Sequence, residues 1–218
     1  MTALPGRLEP VTLEGQRVRL EPLSLDHLEG LLPVAADDEI WRWTTTVHDT
    51  RETLRAYLEA ALADQAAGRA LPFATILRAT GQPVGSTRFG SISLPDRRLE
   101  IGWTWVGRPW WRSGVNREAK LLMLTYAFEQ LGANRVEFKT DSLNERSRTA
   151  ILALGATQEG ILRNHMVSQG GRLRHSVYFS ILPPEWPAVK ARLEASWEAS
   201  PDADRGTDPG SRPASAPR

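Results

Sequence analysis

The chain has 218 residues, 41% of them hydrophobic and 24% charged, which suits one globular domain with a substantial core. Its formal net charge of +1 supplies no whole-molecule field for nucleic acid or an anionic membrane, and its lack of cysteine excludes disulfides, thiolate metal sites and an acyl-cysteine intermediate. No apolar signal core opens the chain and no run of about 18 apolar residues occurs, so a cytoplasmic protein with no metal centre and no membrane or nucleic-acid partner is expected.

Arg17-Val-Arg-Leu-Glu-Pro-Leu23 alternates as a half-buried strand does, and Ser24 stands where a helix carrying Leu25, Leu28, Leu31 and Leu32 would be capped. Trp41 and Trp43 fall in a polar stretch at 37–46, after which Asp49 and Glu52 predict a capping box for a helix running to Gly68. Residues 73–77, 84–92 and 98–106 then read as three consecutive antiparallel strands separated by turn residues. After Gly114 the period changes: Val115, Ala119, Leu122, Tyr126 and Leu131 recur at helical spacing, with Gly132 as the stop. Residues 135–140 alternate strictly, and Asn144 caps a helix that Gly155 closes. Two last strands, 157–167 and 173–182, flank a Gln169-Gly-Gly171 turn, and Pro183-Pro184 precedes a helix with Trp186, Val189, Leu193 and Trp197. The order predicts a mixed α/β sheet with helices on both faces, not a doubly wound fold.

The junction at 108–120 places polar and glycine residues between a strand and a long amphipathic helix. Free backbone N–H groups and the positive end of the helix dipole meet there, which suits a phosphate or pyrophosphate.

With this order and this junction, the chain resembles the GNAT superfamily of acyl-CoA-dependent N-acyltransferases, in its RimJ/RimL-like branch, over roughly residues 11 to 183. The superfamily loop Gln/Arg-x-x-Gly-x-Gly/Ala corresponds to Trp111-Arg-Ser-Gly-Val-Asn116, where Gly114 matches and Trp111 and Asn116 depart from the pattern. Glu100-Ile-Gly-Trp-Thr-Trp, Asn144-Glu-Arg-Ser-Arg and Leu154-Gly-Ala-Thr-Gln-Glu-Gly160 resemble further segments of the branch. The resemblance implies a mostly antiparallel sheet, splayed between the strand ending at Val106 and the strand at 135–140, with the pantetheine arm of acetyl-CoA in the gap. It implies main-chain contacts to that arm from Trp103, Thr104, Trp105 and Val106, and a pyrophosphate held by Arg112, Ser113, Gly114, Val115 and Asn116. Asn116 either donates to a phosphate or tolerates the loop geometry, and Asn144 adds a cofactor contact to its role as cap. The domains expected are a flexible stretch at 1–10, an acyltransferase domain at 11–198 and a disordered tail at 199–218.

Direct transfer to an amine needs a base. Glu100 leads, on a strand whose alternation would set Leu99, Ile101, Trp103 and Trp105 on one face and Glu100, Gly102 and Thr104 on the other. His165 and Glu159 are further candidates, each with an incidental or structural reading beside it. The superfamily's Tyr acid corresponds to Ile151, so the departing thiolate is served by Ser147, by water or by no side chain. Trp41 and Trp43 either wall the acceptor site or lid the core, and Arg163, Arg172 and Arg174 read as a solvated basic face. The expected partner is an amine, a protein N-terminus or a small molecule, met by a monomer or homodimer. The rival reading is a non-catalytic acyl-CoA-binding module.

Overall fold

The chain opens with a short antiparallel pair, β1 (Leu13–Glu14) and β2 (Val18–Pro22). Ser24 then caps a single 3₁₀ turn that leads into α1 (Leu28–Ala35). The next helix, α2 (Arg51–Ala66), starts one residue later than the sequence suggests. Thr50 is extended and its hydroxyl accepts from the Thr53 N–H at 3.2 Å, so the capping box is Thr50 with Thr53 and not Asp49 with Glu52. Three strands follow, β3 (Leu71–Leu77), β4 (Pro83–Ser93) and β5 (Arg98–Val106). The long helix α3 (Val115–Thr125) widens into a π turn at Tyr126–Gln130 before Gly132, at φ 67°, ends it. β6 (Arg135–Asp141), α4 (Glu145–Leu154), β7 (Thr157–Val167), β8 (Leu173–Ile181) and α5 (Trp186–Glu198) complete the chain. This computed structural model describes residues 8–198, and the expected tail at 199–218 lies outside the described residues.

The eight strands form one sheet in the order β1-β2-β3-β4-β5-β6-β8-β7. Every neighbour pair is antiparallel except β5 with β6. That parallel pair is short: Arg98, Leu99 and Glu100 face Arg135, Val136 and Glu137, and beyond Glu100 the two strands part. The expected splay is therefore present, with residues 101–106 of β5 unpaired on that side.

Each sheet face has its own core. One buries Leu99, Ile101, Val136, Phe138, Val177 and Phe179 beneath α3, α4 and α5. The other buries Ala74, Ile76 and Trp105 beneath α1 and α2. Strict alternation along β5 is not observed. Arg88 pairs with Gly102 but Ser86 pairs with Trp105, so Trp103 and Thr104 together oppose Thr87, and Trp103 takes φ 49°. This bulge reverses the phase of the strand. Leu99 and Ile101 lie in the first core while Trp105 lies in the second, and Thr104 turns to the α3 side instead of sharing a face with Glu100.

Candidate active site

The bulge and the parting of β5 from β6 act at the same residues. Trp103 and Thr104 leave the ladder with β4 just where β6 has diverged, so main chain at the middle of the sheet borders an open gap. Tyr57 of α2 donates its hydroxyl to the Trp103 carbonyl at 3.4 Å, which ties the bulge to the overlying helix.

At the end of β5 the chain turns into α3 through residues 107–114. Arg112 (φ 62°) and Gly114 (φ 89°) are both left-handed, and alternation of this kind points successive N–H groups into one concavity. The loop is fixed by Trp111 Nε1 donating to the Val106 carbonyl at 2.7 Å and by the Ser113 hydroxyl donating to the Trp110 carbonyl at 2.7 Å. The first intrahelical bond runs from Glu118 N–H to the Gly114 carbonyl at 2.9 Å, so the N–H groups of Val115, Asn116 and Arg117 precede the helical ladder. The Asn116 side-chain oxygen is buried without a hydrogen-bond partner, and since Asn116 sits inside the helix, tolerance of loop geometry is not its role. The left-handed positions belong to Arg112 and Gly114.

A second helix start adjoins the first. Asn144 Oδ1 accepts from the Ser147 N–H at 3.0 Å, capping α4 as its sequence suggested, and Arg146 lies over the Trp111 ring at 3.4 Å. Desolvation pulls the Arg146 guanidinium below its ordinary pKa; Glu39 opposes this and Arg112 adds to it. Two positive helix ends and a basic rim thus flank the outer end of the gap. An anion fits there.

The sheet face beyond α2 carries the proton-transfer candidates. Glu100 is buried at 4% exposure, accepts from the Ser91 hydroxyl at 3.2 Å and pairs with Lys139 Nζ at 3.3 Å. Lys139 in turn lies 5.9 Å from the Trp103 ring centre and 5.8 Å from that of Tyr178. His165, on β7, stands edge-on to Tyr178 at 5.7 Å with Nδ1 3.1 Å from the Ser176 hydroxyl. Four adjacent strands therefore bring Glu100, Lys139, Tyr178 and His165 onto one face, while Ser147 stays on α4, away from this group. Glu159 pairs with Arg135 and accepts from the Ser180 hydroxyl at 2.8 Å, a structural placement.

Other sequence readings divide. Trp41 lids the core: it is buried, donates Nε1 to the Ala35 carbonyl at 2.7 Å and packs on Trp105. Trp43 lies at the rim between Arg42 and Arg172, at 5.2 and 5.8 Å. The basic cluster divides: Arg163 is exposed, as a solvated face requires, whereas Arg172 pairs with buried Asp141 and Arg174 is itself buried. Burial draws the Arg174 pKa down, and Asp141 and Glu100 hold it up. Lys139 and Lys120 were missed, although each left a signal. Lys139 alternates with Phe138 on a strand, and Lys120 falls in a stripe with Met123, Leu124 and Ala127 at helical spacing.

The comparisons agree with this geometry. The model of the acetyltransferase (GNAT) domain matches residues 17–157. An uncharacterized N-acetyltransferase, p20 of Bacillus licheniformis, is 28% identical over 180 residues, covering 80% of this chain and 98% of its own. A crystal structure of a GCN5-related N-acetyltransferase from Brucella melitensis is 32% identical with TM-score 0.82, over 89% of this chain and 88% of that one. A provisionally assigned acetyltransferase from T. thermophilus is 40% identical with TM-score 0.79, over 87% of this chain and 98% of that one. With its splayed strands, its left-handed loop at a helix start and these relatives, the chain belongs to the GNAT acetyltransferase family, whose general donor is acetyl-CoA.

Proposed function

We propose that this chain transfers an acetyl group from acetyl-CoA directly to a primary amine, either a protein N-terminus or a small molecule, in the cytoplasm. The observation that carries the reading is the coincidence of the gap between β5 and β6 with the anion-binding start of α3. Acetyl-CoA would lie along the gap, its pyrophosphate on the N–H groups at 112–116 and its thioester beside the bulge. An N–H of the bulge, outside the β4 ladder, supplies a donor where negative charge develops on the carbonyl oxygen.

The amine enters from the face that holds Glu100. It must shed a proton to attack, and the Glu100 carboxylate takes that proton directly or through water. His165, on the same face, is the next base in line. Trp43, Arg172 and the Gln169 turn form the outer rim, where Gln169 Nε2 donates to the Trp41 carbonyl at 2.6 Å and so closes the β7–β8 turn onto the loop after α1. The acceptor therefore meets both aromatic and charged surface.

The test is release of free coenzyme A, followed with a thiol reagent, across N-terminal peptides and small amines. Amine-dependent release above hydrolysis is expected with at least one class. Cofactor binding with no amine-dependent release in either class would instead support the non-catalytic binding module.

A further inference from the structure

Lys120 is the one buried ammonium on α3, and no carboxylate answers it in its hydrogen bonds. It is 5% exposed, and Nζ donates to Thr104 Oγ1 at 2.6 Å and to Thr87 Oγ1 at 3.1 Å. The two hydroxyls are themselves 2.8 Å apart. Thr104 differs from its partners in being exposed, and it belongs to the bulge that borders the gap. A buried cation is costly unless something compensates it, and here two neutral hydroxyls are the partners found.

We propose that the Thr104 hydroxyl, held by the Lys120 ammonium, is the proton donor to the thiolate that leaves during acetyl transfer. This rests on the acetyltransferase reading above. Either hydroxyl of the Thr87–Thr104 pair can donate, and the arrangement in which Thr87 donates is the one that serves the relay. Lys120 and Thr87 can fill both acceptor positions of Thr104, which leaves the Thr104 proton to the open side, where its remaining contact is a long one to the Gly102 carbonyl at 3.4 Å. Ile151, at the position where the superfamily carries Tyr, is buried in the apolar core and offers no proton.

The step balances. The amine nitrogen forms its bond to the carbonyl carbon, the carbon–sulfur bond breaks, and the sulfur keeps the electron pair. Sulfur takes the Thr104 proton, Thr104 takes one from Lys120, and the neutral Lys120 amine is reprotonated from solvent. The proton shed by the acceptor goes to Glu100 and then to solvent, so the relay starts the next cycle unchanged. Burial supports this direction, since it pushes the Lys120 pKa down to about 7 and makes the ammonium a better acid. In this relay Thr104 touches the sulfur and Lys120 is the positioning residue behind it.

The experiment compares Lys120→Met, Thr104→Val and Thr104→Ser by steady-state kinetics, with coenzyme A affinity measured by calorimetry. General-acid assistance is worth about 10²–10⁴-fold in rate, and a thiolate leaves readily, so a fall in kcat of about 30- to 100-fold is expected for Lys120→Met and Thr104→Val. KM for acetyl-CoA and the affinity for coenzyme A should stay within about twofold, because the interaction is made only as the bond breaks. Thr104→Ser keeps the hydroxyl and should restore most of the rate. Wild-type kcat in a folded Lys120→Met or in Thr104→Val would overturn the relay while leaving the acetyltransferase reading intact. If Lys120→Met does not fold, the contrast between Val and Ser at 104 decides. Absence of amine-dependent release in the unaltered protein would overturn the acetyltransferase reading itself.

Discussion

Replacing Lys120 with Met should make the protein more stable at neutral pH. The side chain is buried with two hydroxyl partners, and desolvation alone lowers its pKa from 10.5 to about 7. At about 1.36 kcal/mol per pH unit, that interval corresponds to roughly 5 kcal/mol of unfavourable free energy whenever the group is charged in both states. Met keeps the length and the apolar stem and removes the charge, while Thr87 and Thr104 can still bond each other. The sign follows from linkage. Below about pH 7 both folded and unfolded chains carry the proton and the full penalty applies. Between 7 and 10.5 only the unfolded chain stays protonated, so the stability of the unaltered protein climbs with pH, and above 10.5 the penalty is gone. Urea unfolding at pH 7 should show Lys120→Met more stable by roughly 2–5 kcal/mol, a rise in Tm of about 5–15 °C for a chain of this size. The gap should narrow as pH rises towards 10. Equal or lower stability of the variant at pH 7, or a difference that ignores pH, would refute the reasoning.

Gly114 at φ 89° admits no L side chain without strain, so Gly114→Val should lower coenzyme A affinity at least about tenfold in a folded protein, read by calorimetry; unchanged affinity would remove the loop from the phosphate site. Glu100→Gln cannot accept the amine proton, and turnover at neutral pH should fall about 100-fold with coenzyme A affinity unaltered, whereas equal activity would move the base to His165 or water. The hydrogen bond from Arg135 draws the Glu159 carboxyl down from 4.5 to about 2. Its stabilisation is complete above pH 4.5 and is lost as pH falls towards 2, so Glu159→Gln should cost about 1 kcal/mol at pH 7 and nothing at the acid end, followed by Tm against pH.

The parts of the fold that follow from local chemistry were legible in the residues. Asn144 and Gly155 bound α4 because one side chain satisfies a free N–H and the other residue takes φ 105°, and both effects act within a turn. The phase of β5 was not legible, since alternation carries no mark of an inserted residue and the bulge at Trp103 arises from pairing with β4, beyond the reach of any rule about neighbouring residues. The basic cluster misled for a related reason. Arg172 and Arg174 read as solvated until the sheet brings Asp141, from another strand, against them. Proximity between distant strands also assembles Glu100, Lys139, Tyr178 and His165, and their separate spacings in the chain predict none of it.

Helix α3 holds two buried charges two residues apart, and their different treatment separates structure from chemistry. Glu118 accepts from the backbone N–H groups of Gln16, Arg17 and Val18 at 2.5, 2.9 and 2.8 Å, so its charge is fully answered and it fastens the turn before β2 to the helix. No side chain fits at Gly15, where an added Cβ would meet the Glu118 carboxyl at 2.6 Å. Lys120 has only hydroxyls, one of them exposed to the gap. A helix that can compensate one buried charge with three N–H groups, yet leaves the next with none of its counter-charge, has kept a stability cost where an acid is useful. The two sites should therefore respond oppositely: Glu118→Gln should weaken the fold, by about 1–3 kcal/mol, while Lys120→Met strengthens it and slows the reaction.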